Sequence, residues 1–276
     1  MNILSLQSEV VYGHVGQGAA RFALQCLGHE VWAVPTVLLS SHAGYARVEG
    51  ELIPAALMRR LVDGLDANGW LAGCGAVVSG YLGAAEHAQV VADAVRRVKD
   101  ANAAAIYCLD PVFGDDGRAY AKRGVPEAMA RELLPLADIV TPNAFELSSL
   151  TGAAVRNPDE ALGAARKLGR PIVAATSVPC GTERIGTLAL SKEESWLAST
   201  TMLARAPRGA GDLFAALFLH GRLAGDGLRD TLARAIGAVF HVLKQSVGAG
   251  EMRLVQGQNV LRNPIPGEDV RLERIA

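Results

Sequence analysis

The sequence predicts an α/β fold in which a mostly parallel central sheet carries helices on both faces. Short apolar runs alternate along most of the chain with longer segments of helical pattern, which is the order expected of β-α-β units. The runs are apolar throughout, as in strands that are covered on both faces. Half of the 276 residues are hydrophobic, so the chain can bury a sizeable core. We find no linker, repeat or low-complexity tract and expect one domain over residues 1–276.

Each predicted strand is brief, and several end in a polar residue or proline. In chain order the strands cover residues 3–6, 31–35, 76–79, 106–110, 139–141 and 172–176. The predicted helices between them cover residues 16–27, 53–64, 86–101, 126–134, 143–150 and 158–167. The pattern then changes, because the apolar runs 186–190 and 195–198 lie close together, as in an antiparallel pair. Helices over residues 211–224 and 228–247 complete the predicted order.

Composition and charge exclude several functional classes. The net charge is −1 and there is no basic stripe, so we expect no nucleic-acid partner. The sequence contains no run of about 18 apolar residues, so we expect no membrane span. The first residues form a strand-like run that differs from a signal peptide. The four cysteines include no C-x-x-C pair. This usage predicts neither a disulfide framework nor a zinc site and fits a cytoplasmic protein.

Polar residues follow nearly every predicted strand. They are Ser8, Ser79-Gly80-Tyr81, Asp110, Thr141-Pro142-Asn143 and Thr176-Ser177. In open α/β sheets the ligand crevice lies at the carboxyl ends of the strands. One such residue is common in any protein of this class, but five groups at the same end of one sheet would form a site.

The strongest local signal is Gly209-Ala210-Gly211-Asp212, which runs into an apolar helix. Glycines before a helix let a ligand approach the backbone closely, and the first N–H groups of a helix point outward with the positive end of its dipole. Together they predict an anion hole suited to phosphate. Asp212 beside it can take a proton from an attacking hydroxyl. The alternative, from these four residues alone, is that Asp212 only caps the helix.

Two pairs of polar residues are candidates for binding a cation. Asn143 and Glu146 lie three apart on one helical face, and Asp110 ends a strand with Asp115 five residues beyond. Magnesium prefers oxygen ligands, keeps several waters and is often shared with substrate phosphates, so Glu146 could hold it through water. The alternatives are a capping box formed by Asn143 and Glu146, and a turn with two solvated aspartates.

Other nucleotide-binding signatures are absent from the sequence. There is no G-x-x-x-x-G-K-[ST] segment, which excludes a P-loop kinase. No set of protein-kinase signatures is present. Gly13, Gly16 and Gly18 do not have the spacing of a dinucleotide fingerprint.

Taken in order along the chain, these motifs resemble the pyridoxal kinase family of the ribokinase superfamily. The resemblance is carried by residues 4–16 (LSLQSEVVYGHVG), 39–45 (LSSHAGY), 79–81 (SGY), 110–115 (DPVFGD), 141–146 (TPN-x-x-E) and 209–212 (GAGD). The last of these segments marks the superfamily, and the first two point to pyridoxal kinase within it. The resemblance extends over nearly the whole chain.

This resemblance implies a ribokinase-like three-layer sandwich and a role in pyridoxal 5′-phosphate salvage. The enzyme would transfer the γ-phosphate of ATP to the 5′-hydroxyl of pyridoxal, with pyridoxine and pyridoxamine as further candidate substrates. Asp212 would be the general base that activates this hydroxyl. The backbone amides of Gly209, Ala210 and Gly211 would stabilise charge on the phosphoryl group in flight.

The remaining site residues implied by the resemblance fall into three groups. The substrate would contact Ser8, His42, Ala43, Tyr81 and Tyr120, the last of these on a flap. The nucleotide would lie near Asp110, Thr141, Glu146, Thr176, Ser177, Thr200, Thr201, Met202 and Leu203. Asp110, Asp115, Thr141 and Glu146 would surround Mg²⁺ and a monovalent cation such as K⁺ or Na⁺. The family pattern also implies a homodimer whose partners are small molecules, with no nucleic acid and no membrane.

The sequence departs from the family pattern at four positions. Ala43 stands where threonine is usual, Glu9 where histidine is common, Gln17 where asparagine is common, and Ala210 where many members carry threonine. Losing one neutral hydrogen bond at Ala43 would cost about 0.5–1.5 kcal/mol. The alternatives are a related kinase for hydroxymethylpyrimidine or a sugar, a weakly catalytic protein that binds pyridoxal phosphate, and an α/β binding module without chemistry.

Overall fold

The computed structural model describes residues 1–115, 117–263 and 269–276, and within them most strands join one sheet. The strands are β1 (Asn2–Val10), β2 (Glu30–Leu39), β3 (Gly50–Leu52), β4 (Cys74–Ser79), β5 (Ile106–Leu109), β6 (Gly114–Asp115), β7 (Arg118–Ala119), β8 (Ile139–Val140), β9 (Ile172–Pro179), β10 (Arg184–Leu190), β11 (Ser195–Thr201) and β12 (Arg271–Arg274). The ten-stranded sheet has the order β12-β11-β10-β9-β8-β5-β4-β1-β2-β3, and β6 and β7 form a separate hairpin.

Six strands form the parallel centre of this sheet. β1, β2, β4, β5, β8 and β9 pair in parallel, whereas β3 and β10 to β12 join it in antiparallel fashion. The predicted antiparallel pair therefore exists as β10 and β11. Because parallel strands end at the same edge, the carboxyl ends of β1, β4, β5, β8 and β9 lie side by side.

Helices cover both faces of the sheet. They are α1 (Gln17–Cys26), α2 (Ala55–Ala67), α3 (Glu86–Ala101), α4 (Val125–Ala128), α5 (Ala144–Thr151), α6 (Pro158–Leu168), α7 (Ala210–Leu223), α8 (Leu228–Gln245) and α9 (Gln258–Arg262). Alternate residues of a strand point to opposite faces. Ile3 accordingly packs with α1, α7 and α8, while its neighbour Leu4 packs with α2 and α3. A third cluster joins β9 to α6. The predicted three-layer arrangement is confirmed.

Several elements differ from the sequence prediction. The predicted helix 126–134 is a short α-helix followed by a π-helical turn, Met129–Leu133, and a 3₁₀ turn, Leu134–Leu136. Pro135 lies in that last turn, and proline has no N–H to continue a helix. The strand predicted over 31–35 continues to Leu39. Pro35 pairs with Gln7 just before a register shift in β1, where a missing N–H is tolerated.

The hairpin of β6 and β7, and also β3, β12 and α9, were not predicted. Each has five residues or fewer, which is too short for a period of two or 3.6 residues to be visible. Within the described part of the chain, every helix is too short or too polar to cross a membrane.

Candidate active site

The polar residues predicted after the strands do meet at one edge of the sheet. Backbone hydrogen bonds connect them in sheet order. Asp110 N–H donates to the Ser79 carbonyl over 2.8 Å, Thr141 N–H to the Leu109 carbonyl over 3.0 Å, and Thr176 N–H to the Pro142 carbonyl over 2.8 Å. Ser8 lies within β1 and Ser177 within β9, because both strands are longer than predicted.

The loop before α7 leaves helix N–H groups available to a ligand. Gly209 is the N-cap residue with φ +96°, and no side chain caps this helix end. A Cβ atom at Gly209 would lie 1.9 Å from the His14 carbonyl oxygen, so only glycine fits there. Gly211, two residues on, is exposed. The start of α7 is therefore uncapped and accessible to solvent, which is compatible with the predicted anion hole.

Asp212 is half-buried in the first turn of α7. Its carboxylate accepts hydrogen bonds from its own N–H and from the N–H of Gly16, which belongs to the loop after β1. Burial raises the pKa of Asp212 to about 6, and the two N–H donors oppose this increase. The contact with Gly16 goes beyond a helix cap, since it joins Asp212 to a distant loop. A carboxylate with a pKa near neutrality is suited to general-base catalysis.

Asp110 is a buried carboxylate with one unsatisfied oxygen. Its Oδ1 accepts a hydrogen bond from the Thr141 hydroxyl at 2.8 Å, but its Oδ2 is buried without a hydrogen-bond partner. Burial and the charge of Asp212 raise the pKa of Asp110 to about 8, and the Thr141 bond opposes this. An unpartnered buried oxygen next to a second carboxylate is an environment that a divalent cation would stabilise.

Within the described residues, no group of three or more His, Cys, Asp or Glu side chains is arranged to hold a metal ion. A cation at Asp110 would therefore take most of its ligands from water and substrate phosphates, which is the usual situation for magnesium. The donor chemistry at Asp110 and Thr141 is oxygen only, and it fits this ion.

Glu146 forms the capping box that the sequence left open as the alternative. Asn143 caps α5 by accepting from the Glu146 N–H, and Glu146 Oε2 accepts from the Asn143 N–H at 2.9 Å. Its Oε1 accepts from the N–H groups of Phe113 and Gly114 at 3.0 and 3.3 Å. Burial raises the pKa of Glu146, and these N–H donors oppose this. Both carboxylate oxygens of Glu146 thus accept hydrogen bonds from backbone N–H groups, and Glu146 fixes the start of the β6–β7 hairpin.

Tyr120 follows that hairpin and lies close to the carboxylates of the site. Partial burial of the ring raises the pKa of Tyr120, which is about half exposed, and so do the nearby charges of Glu146, Asp212, Asp110 and Asp115. The structure therefore brings the predicted flap residue and the four predicted acidic residues together.

The rings of Tyr81 and Tyr120 lie close together at this edge of the sheet. Their ring centroids are 6.5 Å apart and their planes differ by 34°. Tyr81 is held by its carbonyl, which accepts from the Thr36 hydroxyl at 2.7 Å. Ser8 is buried, and a Cβ at Gly16 would lie 2.3 Å from its Oγ. Ser8 and Gly16, the donor to Asp212, are therefore packed against each other.

His42 has both ring nitrogens engaged inside the protein. Its Nδ1 accepts from the Gly44 N–H at 3.0 Å, and its Nε2 lies 3.1 Å from Glu251 Oε1. The first contact requires the proton on Nε2, so the ring donates to Glu251. Any contact between this segment and a substrate would use the backbone or Ala43, which is exposed.

The predicted nucleotide residues are spread over two strands. Thr176 and Ser177 lie in β9, where Ser177 has φ +56°. Such left-handed backbone is uncommon outside glycine and is frequent at functional sites. Thr200 and Thr201 end β11, followed by Met202, which is about half exposed. β11 is two positions from β9 in the sheet. Residues 200–202 therefore lie farther from the parallel centre of the sheet than Thr176 and Ser177.

Two residues of this site were not predicted from the sequence. Gly16 contributes only a backbone N–H, and Glu251 lies in a loop after α8 that carries no recognisable motif. Neither gives a signal in one sequence, because their roles depend on contacts with residues that are distant in the chain.

Comparison with known proteins identifies the family. The phosphomethylpyrimidine kinase family model matches residues 65–256. A pyridoxal kinase PdxY of Rubrobacter xylanophilus is 45% identical over 96% of this chain and 94% of its own length. The chain belongs to the pyridoxal kinase family. Another family member, the pyridoxal kinase PdxY of Corynebacterium diphtheriae, is 39% identical over 96% of both chains.

Solved structures of pyridoxal kinases have the same architecture. The enzyme of Leishmania donovani, in complex with ADP and pyridoxine, superposes with a TM-score of 0.93 at 29% identity and covers 100% of this chain and 99% of its own. The Entamoeba histolytica pyridoxal kinase has a TM-score of 0.93 at 27% identity over 99% of both chains. The expected membership of the pyridoxal kinase family, with its ribokinase-like fold, is confirmed.

Proposed function

We propose that this protein is a pyridoxal kinase that transfers the γ-phosphoryl group of ATP to the 5′-hydroxyl of pyridoxal. The observation that carries the proposal is the position of Asp212, a carboxylate with a pKa near 6 in the first turn of a helix whose N-terminus has no side-chain cap. A proton acceptor and an anion hole are thus adjacent. Relatives named pyridoxal kinase over nearly their full length support the same activity.

The proposed reaction depends on positioning and on stabilisation of charge. Asp212 accepts the proton of the substrate hydroxyl as its oxygen attacks the γ-phosphorus. The first N–H groups of α7, from Ala210 and Gly211, donate to the phosphoryl oxygens as negative charge accumulates on them. Gly209 lets this loop pack against the loop after β1, because a side chain there would collide with His14.

The aromatic surface formed by Tyr81 and Tyr120 is the proposed binding site for the substrate ring. Their two rings favour a flat, partly apolar ligand. Ser8 is the proposed hydrogen-bond partner of the pyridine ring, and the backbone around His42 and Ala43 would border the other end. The solved relative in complex with ADP and pyridoxine supports a vitamin B6 ring as the ligand. We propose pyridoxine and pyridoxamine as additional substrates.

Asp110 and Thr141 are the proposed residues for holding Mg²⁺, with Asp115 and Glu146 nearby. The bound ion would neutralise charge on the ATP phosphates. Asp110 contributes the carboxylate, and its Oδ2 is buried without a partner. Glu146 acts indirectly, since both of its oxygens hold backbone N–H groups. We also propose a monovalent cation such as K⁺ or Na⁺ beside the phosphates.

Two segments of the chain are proposed to bind the nucleotide. Thr176 and Ser177 would contact the phosphates, and residues 200–203 would lie near the adenosine.

A homodimer is proposed, and its candidate interface is an apolar surface pocket of about 500 Å³. This pocket is lined by Trp32, Ala33, Val34, Leu61, Leu65 and Trp70. Exposed apolar patches of this kind often mark contacts between protein chains. We place the protein in the cytoplasm.

The decisive experiment is ADP release by the purified protein with Mg-ATP and a panel of acceptors. The panel contains pyridoxal, pyridoxine, pyridoxamine, hydroxymethylpyrimidine and ribose. Selective turnover of pyridoxal is the expected result. Turnover of hydroxymethylpyrimidine alone would favour the second candidate, a kinase of that ring, which the family model matching residues 65–256 supports. Absence of turnover with every acceptor would contradict both kinase proposals and favour a binding protein.

A further inference from the structure

Glu251 joins three segments that are far apart in the sequence. It lies in the loop between α8 and α9, and its side chain is 13% exposed. Its Oε1 accepts hydrogen bonds from the Tyr45 hydroxyl at 2.7 Å and from His42 Nε2 at 3.1 Å, and its Oε2 accepts from the His14 N–H at 3.0 Å. One carboxylate therefore connects the loop after β1 to the loop after β2.

The two loops held by Glu251 are those that border the proposed binding site for the substrate ring. The loop after β1 runs from Val11 to Gly16, and the loop after β2 contains His42 and Ala43. Tyr12 and Tyr45 also meet edge to face with ring centroids 5.8 Å apart. The close approach leaves no room for a side chain at Gly13, whose Cβ would lie 2.6 Å from Glu251 Oε2.

The same segment contacts the catalytic loop. Met252, next to Glu251, is buried, and its Cε would lie 2.8 Å from a Cβ at Gly209. The carbonyl of His14 also faces Gly209, while the N–H of His14 is held by Glu251. Two residues further along, Gly16 donates its N–H to Asp212. The position of the Gly16 donor thus depends on a peptide that Glu251 fixes.

We propose that Glu251 is a positioning residue, which orders the two substrate loops and places the Gly16 N–H against Asp212. This inference rests on the proposed function. Glu251 itself contacts no reacting atom, because its oxygens are used by His14, His42 and Tyr45. Its expected influence is therefore on the binding and alignment of the phosphoryl acceptor, and the nucleotide phosphates should be affected little.

The chemistry of the three contacts requires a carboxylate. All three partners are donors, since the His42 ring carries its proton on Nε2 and Tyr45 keeps its hydroxyl proton. The hydrogen bond to Glu251 raises the pKa of Tyr45 to about 12. A glutamine at position 251 has the same shape but only one acceptor oxygen, and its amide group would face donors. Glu251→Gln thus breaks the connection without creating a cavity.

The test compares Glu251→Gln with the wild type in steady-state kinetics. We expect KM for the phosphoryl acceptor to rise by about tenfold, as for the loss of one charge-assisted hydrogen bond, while KM for ATP changes by less than about twofold. Tyr45→Phe removes one of the three donors and should give a smaller increase. Glu193→Gln, at an exposed glutamate that also accepts a side-chain hydrogen bond, is the matched control and should change neither constant.

Hydrogen exchange of the ligand-free proteins gives a second readout that does not depend on the identity of the substrate. Peptides covering residues 11–18 and 40–47 should exchange faster in Glu251→Gln, while peptides from α3 should not change. Unchanged exchange in both loops would overturn the inference even if pyridoxal is a substrate. An equal fall in kcat for all substrates with unchanged KM and a lower Tm would indicate a general structural role and would also overturn it. If the wild type fails to phosphorylate pyridoxal, only the proposed function is lost, and exchange still decides the role of Glu251.

Discussion

The hydroxyl of Thr141 donates to one oxygen of Asp110 at 2.8 Å and leaves the other oxygen buried without a partner. Asp110 directly follows β5 and Thr141 directly follows β8, so the bond joins the ends of two neighbouring strands of the sheet at the proposed site. In the absence of a cation, burial and the charge of Asp212 hold the pKa of Asp110 at about 8. The site is therefore electrostatically unfavourable until positive charge is bound.

Stability of the metal-free protein should accordingly improve when this carboxyl group is replaced. A raised pKa in the folded state contributes stability below the unfolded value, about 3.9, and that contribution is lost as pH rises through about 8. Asp110→Asn keeps an acceptor for Thr141 but cannot ionise. With EDTA present, we expect it to raise Tm relative to the wild type by about 5 °C more at pH 8.5 than at pH 5.

The matched control for this measurement is Asp100→Asn, at an exposed aspartate on α3. Thermal melts of both variants at the two pH values should separate the effect of the buried site from a general change in net charge. An equal shift of Tm for Asp110→Asn at pH 5 and pH 8.5 would contradict the assignment of a raised pKa to Asp110.

Asp212→Ala should retain nucleotide binding and lose most turnover. A positioned general base contributes about 10²- to 10⁴-fold to rate, and Asp212 is the carboxylate next to the uncapped end of α7. We expect kcat for pyridoxal to fall by about that factor, while the Kd for ATP from calorimetry changes little. Near-normal turnover in this variant would remove Asp212 as the base.

The acid limb of the pH profile should report the same residue. Asp212 must be deprotonated to accept the proton of the substrate hydroxyl, and its pKa is raised to about 6 by burial. We expect kcat/KM for pyridoxal to fall about tenfold per pH unit below that pKa, and to be independent of this group above it. Measurement from pH 5 to pH 8 at saturating Mg-ATP checks this. A profile that stays flat down to pH 5 would point to a carboxylate that burial does not perturb.

The fold could be predicted because its signal is local and repeated. Buried strands such as β4 and β5 are short and wholly apolar, and the alternation with helices is typical of a parallel sheet. Asp110 and Thr141 were identified on that basis, since strand ends meet at one edge. The capping box of Glu146 could be predicted from the Asn143 spacing, but the sequence does not show that both carboxylate oxygens are occupied.

What the sequence could not show are contacts between distant segments. The hydrogen bond from Gly16 to Asp212 spans most of the chain and uses a backbone donor. Glu251 is one of many glutamates in the sequence, and only the fold places it beside His42 and Tyr45. A β-hairpin of two residues per strand, β6 with β7, likewise has no detectable period.

A pair of glycine substitutions in the anion loop should show which of the two glycines the backbone conformation requires. Gly209 has φ +96°, and a Cβ atom there would lie 1.9 Å from the His14 carbonyl oxygen, whereas a Cβ at Gly211 would meet nothing within 4 Å. We expect Gly209→Ala to lower the free energy of unfolding by about 2–4 kcal/mol. Gly211→Ala should leave it unchanged or raise it by up to about 1 kcal/mol. Urea denaturation of both variants measures this, and equal destabilisation would contradict the assigned loop conformation.

Ala43→Thr should improve binding of pyridoxal more than it changes turnover. Ala43 is exposed in the loop after β2, so a larger side chain fits without repacking the core. A threonine hydroxyl would restore one hydrogen bond to the substrate, worth about 0.5–1.5 kcal/mol, and KM for pyridoxal would fall by about two- to tenfold. Because the substitution adds a contact to the substrate and leaves Asp212 and the loop at 209–211 unaltered, kcat should remain within about twofold of the wild type. Steady-state kinetics with Ala43→Ser as a shorter hydroxyl-bearing control decides the matter, and an unchanged KM in both variants would show that this side chain does not reach the substrate.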